Sequence, residues 1–320
     1  MATAPTLVRR GQPAWLLIVA GAAVALPLAA FGRHATPLSE LMPAIVGGVL
    51  ASAAVPGVIA LSQYMLVRTG RMELSVVGVA SLSSAVIGVN SAHGTAGTLV
   101  GLLAAALLAL PFALVSAFLA IKADIGYAMV AAVAVVLGAE QLVTEVAPET
   151  VNVDAGLVTV LGAGTYVPVA FLVAAALFAG VAWCAPRQQA ALATGTAGWV
   201  RIAFVLYVPA FLLAVLAGLL YTARVQAATP QGLGEKFVLI CVLAVVAGGA
   251  SLKAHRASLA DVAVGSLFAG SFTTFLYAEG VSASRINVYV AVACIAFILL
   301  DCLRLRRVPA VATPPVGAPA

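Results

Sequence analysis

Few side chains in this 320-residue chain can do acid–base, nucleophilic or metal chemistry, and those few are scattered. His34, His93 and His255 stand far apart with no HExxH or similar spacing, so metal binding has no support. Cys184, Cys241, Cys294 and Cys302 lie in or at the ends of apolar segments and never as CxxC, which is the pattern of small core residues. No Walker A element occurs, so the chain has no P-loop of its own for ATP. No nucleophile, base and oxyanion donor form a defensible set, and the chain reads as neither an enzyme nor a cofactor carrier.

What remains is polar chemistry inside apolar surroundings. Glu73 borders the second and third apolar runs. A carboxylate at the centre of a bilayer costs roughly 2.5–3.5 kcal/mol on insertion scales, so a deep one is usually functional. Arg71 is close enough in sequence to pair with Glu73 at an interface at little cost, and both readings stay open. Glu140 and Gln141 sit toward the end of the fifth run, able to touch a solute or the headgroups. Ser251, Thr273, Thr274 and Tyr277 are polar groups within apolar runs, where hydroxyls commonly bond helix carbonyls for about 0.6 kcal/mol. With Ser75, these residues are the candidates for a translocation path. Asp261, three residues after Ser258, reads instead as a helix N-terminal cap and dipole partner. Gly248-Gly249 ends one apolar run and suits a sharp backbone turn, either a plain turn or irregular backbone beside a watery path. Gly218, Gly265 and Gly270 suit close helix packing.

The elements that must position these residues are apolar helices. The chain is 63% hydrophobic and 8% charged, against about 25% charged in a soluble domain. Its apolar runs are continuous rather than alternating, which predicts an all-α polytopic membrane protein and disfavours a barrel. Ten spans are expected, at Trp15–Phe31, Leu41–Val67, Leu74–Val89, Gly97–Ile121, Ile125–Val146, Tyr166–Cys184, Ile202–Ala223, Phe237–Leu252, Leu259–Ala278 and Ile286–Leu303. Pro56 should kink the second. The first run carries some marks of a signal peptide, but its length and the spans after it favour a retained helix. Residues 1–13 form a polar tail, residues 14–303 the membrane domain, and residues 304–320 a basic, then Pro- and Ala-rich tail expected to be disordered.

Lys and Arg orient this arrangement. With the N-terminus inside, twelve of the sixteen fall on the cytoplasmic side and only Arg33, Arg224, Lys236 and Arg285 outside. That bias has the expected sign and places both termini in the cytoplasm. The net charge of +5 therefore reports orientation and gives no reason to invoke nucleic acid. Gly97–Gly101 with the run after it is similar to Asp261–Gly265 with its own, and the preceding spans pair loosely. In the ten-span topology those units run in opposite directions, a weak inverted repeat of a kind common in transporters.

Four stretches, in order, resemble one family. They are Met72-Glu73-Leu74-Ser75-Val76; Gly101 to Ala123; Pro186 to Gly195 with Trp199-Val200-Arg201 and a helix ending AGLLYTAR; and Glu235 to Leu252 with the runs through Asp301. Together they resemble the permease subunits of bacterial ABC importers, in the ribose-type sugar and branched-chain amino acid permease superfamily. Departures mark a divergent member: Lys253-Ala254-His255-Arg256 replaces a glycine-rich turn, Arg187-Gln188-Gln189 replaces Asn-Pro-Glu, and Glu73 stands where aspartate is usual. The resemblance implies a multi-pass protein of the bacterial cytoplasmic membrane. Its implied partners are a second permease copy or paralogue, an extracytoplasmic solute-binding protein, and a P-loop ATPase that carries the ATP and Mg. Residues 185–201 would be the cytoplasmic coupling segment, with Arg187, Gln188, Gln189, Ala190, Ala191, Leu192 and Gly195 meeting the ATPase. The alanines favour a short helix that Gly195 and Gly198 would end. The solute would be small and polar, a sugar or nucleoside-like molecule. The competing readings are a stand-alone ten-span secondary transporter of the drug/metabolite type, with Glu73 and Glu140 as proton carriers, and a membrane-embedded enzyme or assembly factor, which the lack of paired catalytic groups disfavours.

Overall fold

A computed structural model describes residues 7–32, 38–67, 72–123, 125–153, 156–164, 167–193, 198–230, 232–250 and 258–306. Its helices are α1 Leu7–Gly32, α2 Leu38–Val67, α3 Ser75–Ser91, α4 Gly94–Lys122, α5 Ile125–Val146, α6 Leu157–Gly162, α7 Val169–Ala193, α8 Trp199–Ile202, α9 Val208–Val225, α10 Glu235–Ala247, α11 Leu259–Ala278 and α12 Ala283–Arg306. One π-helical turn, Ala203–Tyr207, joins α8 to α9. Two short strands, β1 Val151–Asn152 and β2 Ala227–Ala228, pair antiparallel with Val151 opposite Ala228.

Each apolar run of the sequence falls on a helix, because in lipid only a helix satisfies its own backbone groups. Among the described residues, seven helices are long and apolar enough to cross a membrane; Ala14–Ala30, Ser75–Ser91 and Phe237–Ala247 are shorter apolar helices. The protein is therefore an all-α, multi-pass membrane protein. The 147–165 stretch, expected as loop, instead holds β1 and α6, with α6 seated on α9.

The centre is formed by α2, α3, α9 and α11, and the rim by the others. Of the apolar stretch of α2, 78% is buried, against 17% for α12, so α2 meets protein where α12 meets its surroundings. On α4 the buried residues Ala105, Ala109, Ala113 and Ala117 recur every fourth position and face the bundle, while Leu99, Leu103, Leu107 and Phe118 point outward. Cys241 and Cys294 are buried as expected, but Cys184 and Cys302 are exposed, because they lie on the outward faces of the rim helices α7 and α12.

The three singled-out glycines do set helix spacing. A Cβ on Gly218 would meet the Ala80 carbonyl of α3 at 2.6 Å, one on Gly270 would meet Ala53 of α2 at 2.8 Å, and one on Gly265 would run into the Ala244 carbonyl of α10. Gly101 holds the matching place on α4, where a Cβ would meet the Ile87 Cα of α3 at 2.9 Å. The packing repeats accordingly: α3 lies on α4 and α5, and α10 lies on α11 and α12.

Two turns anticipated from sequence take defined forms. Gly249 adopts φ +88°, its N–H bonds the Val246 carbonyl at 3.0 Å, and Ala250 N–H bonds the Val245 carbonyl at 3.4 Å. That is a left-handed helix stop, with Gly248 pressed on the Asp261 backbone, so the glycine pair closes α10 against α11. Ser258 and Asp261 form a reciprocal cap: Asp261 N–H donates to Ser258 Oγ at 3.1 Å and Ser258 N–H to Asp261 Oδ2 at 2.8 Å.

The 185–201 stretch differs from expectation. Residues 185–193 are no separate helix but continue α7 through the exposed Pro186. Gln188 is half-buried. Gly195, the side chains of Arg187, Gln189, Ala190, Ala191 and Leu192, and the 307–320 tail lie outside the described residues.

Candidate translocation path

The path candidates must be built from what fills the gaps between helices. The segment after α9 does most to shape those gaps. Gln226, at φ +54°, stops α9 by donating its N–H to the Thr222 carbonyl at 2.7 Å. The chain then descends along α3 instead of leaving the bundle. Ala228 rests on Gly88, where any Cβ would strike it at 2.7 Å. Further on, Leu233 N–H donates to Ser81 Oγ at 3.1 Å. From Gly88 to Ser81 is seven residues of helix, about 10 Å at 1.5 Å per residue. Gly232 (φ +50°) and Gly234 (φ +69°) make this descent possible. Irregular backbone at depth is tolerated against protein or a watery cavity, and both conditions hold here: Leu233 is fully buried, while Thr229, Pro230 and Gly232 line a cavity.

That cavity measures about 800 Å³ and is open on one side. Glu140 and Gln141 of α5 form its opposite wall, with Thr144, and Asn287 of α12 and Tyr221 of α9 close it. A second cavity of about 210 Å³ lies behind Tyr221, between α2, α9, α10 and α11. Thr273 and Tyr277 line it together with Ser52, Arg224, Phe237 and Ile240. Tyr221 belongs to both, its ring edge-on to Phe237 at 5.2 Å between centroids.

Arg224 is held by α2. Its guanidinium donates to the Ala51 carbonyl at 3.0 Å and to Ser52 Oγ at 3.1 Å. The sequence prepares this contact through Pro56, which has no N–H to give the Ser52 carbonyl and so loosens α2 at that turn. Thr274 reinforces the same turn, its Oγ1 donating to Ser52 Oγ at 3.2 Å and to the Gly48 carbonyl at 3.4 Å. Thr273 Oγ1 donates to the Ala269 carbonyl of its own helix at 2.9 Å, leaving its lone pairs toward the cavity it lines.

The structure thus brings together Glu140, Gln141, Thr273 and Tyr277 at two adjoining cavities, with Thr274 one turn of contact behind. Glu73 and Ser75 do not join them. Glu73 N–H donates to Gln63 Oε1 at 3.0 Å and the Gln63 amide donates back to the Glu73 carbonyl. The Glu73 carboxylate accepts from Ser75 Oγ at 2.6 Å, and Ser75 meets Ser116 of α4 at 3.3 Å. Gln63 is eleven residues from Ser52 along α2, so this cluster sits about 16 Å from the second cavity. It ties the α2–α3 connection to α4. Arg71 and Ser251 lie outside the described residues.

Sequence reasoning passed over Tyr221, Arg224, Ser52 and Asn287 as path residues. Arg224 carried the one available signal, a cation ending an otherwise apolar run in AGLLYTAR.

Comparison with known proteins adds a partial likeness. The chain is similar to the ribose import permease protein RbsC of Bacillus subtilis (strain 168), 33% identical over 115 residues that make up 36% of this chain and 35% of that protein. It is similar also to the fructose import permease protein FruF of Bifidobacterium longum (strain NCC 2705), 30% identical over 110 residues, 34% of this chain and 31% of that one. The aligned region spans about a third of the length of each relative. No family model matches the chain, and no solved structure matches it. Two sugar import permeases at this identity support the resemblance carried by the four ordered motifs, that of a divergent permease.

Proposed function

We propose that this chain is the membrane-spanning permease subunit of an ATP-binding-cassette importer in a bacterial inner membrane. It passes a small polar solute, a sugar or nucleoside-like molecule, by alternating access. The observation that carries this reading is the placement of two adjoining polar cavities at the end of the bundle where α5 and α9 finish and α10 and α12 begin. The other end, where α7 finishes, α8 begins and Phe118 near the end of α4 meets Trp199 edge-on at 5.6 Å, is the end this reading gives to the ATPase. A solute entering at the first end and a motor acting at the second is the division of labour an importer needs. Ten spans with both termini in the cytoplasm, and an inverted repeat of α3–α5 with α10–α12, fit the charge bias and the repeated packing.

In this reading the chain is no enzyme. ATP and Mg bind a separate P-loop ATPase docked on residues 185–201, a second permease copy or paralogue completes the path, and an extracytoplasmic binding protein delivers solute. Closure of the ATPase pushes the end of α7 and the α8–α9 junction. The π-helical turn Ala203–Tyr207 lies in line with that push, and α9 carries it to Tyr221, the shared wall of both cavities.

The test is affinity capture of the tagged chain from mild detergent followed by mass spectrometry, with Ala190→Glu and Ala191→Glu as the disrupted pair. Co-purification of a P-loop ATPase with the parent, lost in the pair, is the expected result. A chain that comes down alone and moves solute under a proton gradient would replace this reading with the secondary transporter.

A further inference from the structure

We infer that the solute carries an oxyanion, carboxylate or phosphate, and that Arg224 in the smaller cavity receives it. This rests on the permease reading for its setting and goes beyond it by naming the chemical class. The two sugars in the relatives' names are neutral, so the inference departs from them.

Three observations carry it. First, Arg224 lines a cavity and no carboxylate among the described residues pairs with it. Its two hydrogen bonds go to a carbonyl and a hydroxyl, which fix the guanidinium without cancelling its charge. A guanidinium has five N–H donors in a planar fork, so three remain after those two. Arg224 stands exposed in the last turn of α9, so a solute entering the cavity can reach it. Second, the remaining polar groups suit an oxyanion on a hydroxylated body. The Tyr221 and Tyr277 hydroxyls make no hydrogen bond within the described chain, so both can donate to a solute. Phe237 and Ile240 offer the apolar side against which a sugar ring face can lie. Third, the space is right. About 210 Å³ equals the share of about seven waters at ~30 Å³ each, room for one small solute and no polymer. Glu140, the acid lining the larger cavity, stands on α5 outside this lining.

The experiment measures binding of three probes to the purified full chain in lipid nanodiscs by calorimetry: glucuronate, glucose 6-phosphate and glucose. The acidic probes should bind and glucose should bind at least roughly tenfold more weakly, the scale of one charge-assisted hydrogen bond. A carboxylate-selective or phosphate-selective cavity is read from which acidic probe prevails. Arg224→Gln should erase the preference. Ser52→Asp, which places a carboxylate where Ser52 Oγ now meets the guanidinium, should erase it while keeping the arginine. Should either variant fail to fold, the parent still decides: glucuronate or glucose 6-phosphate, and not glucose, must protect Arg224 from modification by phenylglyoxal, read by mass spectrometry. Equal binding of all three probes, binding of none, or protection by glucose alike overturns the inference. Failure here is separable from failure of the importer reading. An ATPase captured with a chain that prefers glucose refutes only the oxyanion, and an acid-binding chain without an ATPase refutes only the importer.

Discussion

Gly265→Ala probes the close contact between α11 and α10. The added methyl would run into the Ala244 carbonyl of α10 and stand 2.8 Å from the Gly248 nitrogen. Both are backbone atoms, so no side-chain rotation relieves the overlap and α10 must move away from α11. Overpacking of this kind costs typically 1–3 kcal/mol, and the upper end applies because the obstacle is backbone. Replacing glycine by alanine inside a helix returns roughly 0.5–1 kcal/mol. The net expected loss is about 2 kcal/mol. Gly138→Ala on α5 is the control, since its new methyl meets nothing within 4 Å and only the helix gain remains. The two variants should therefore move in opposite directions, separated by about 3 kcal/mol, over a hundredfold in the folded-to-unfolded ratio at 1.4 kcal/mol per factor of ten. Reversible unfolding in mixed micelles on titration with sodium dodecyl sulfate, followed by tryptophan fluorescence, reads both. If Gly265→Ala matches or exceeds the parent while Gly138→Ala gains nothing, the packing argument is wrong.

Two further outcomes follow from the described geometry. Ser258→Ala removes the hydroxyl that accepts the Asp261 N–H and should cost about 1 kcal/mol, within the usual 0.5–2 for a lost N-cap; hydrogen exchange at the start of α11 should rise, and unchanged exchange would refute the cap. Gly232→Ala forces a side chain into a left-handed backbone position and against Ser81 Oγ; solute binding at the larger cavity should weaken more than overall stability, and the opposite ranking would deny the descending segment a role in binding.

Much of the fold was legible because its signals are local. The apolar runs declared themselves by length, Ser258 and Asp261 by their spacing, and the helix stop by Gly248-Gly249. Of the two readings open for Gly248-Gly249, a plain turn or irregular backbone beside a watery path, the geometry is that of the turn, and irregular backbone beside a cavity occurs elsewhere. Gly248 and Gly249 make an ordinary cap, whereas Gly232 and Gly234 shape the cavity. Nothing near residues 226–234 distinguishes that segment from an outer loop; the deciding partner, Ser81, lies about 150 residues away. Arg224 was hidden for the same reason, its acceptors on α2 being 172 and 173 residues distant. Glu73 drew attention as a deep carboxylate, but Gln63 and Ser75 occupy it in fastening a turn. The short helix expected from the alanines after Pro186 is instead the continuation of α7, which runs through that proline to Ala193.

The short α10 has a consequence for how the chain is made. Its thirteen residues span about 20 Å, and a hydrocarbon core is about 30 Å thick. The 226–234 segment runs beside α3 in its place, and among the described residues its backbone bonds to α9, to Ser81 of α3 and to β1. A nascent chain halted after α10 would offer the insertion machinery a helix too short to stay and a loop with nowhere to hide. Retention of α10 thus depends on α3, already in place and waiting, and on α11 and α12, still to be synthesised. Membrane integration of this protein is for that reason a matter of assembly between distant parts of the chain, not of each segment's own hydrophobicity.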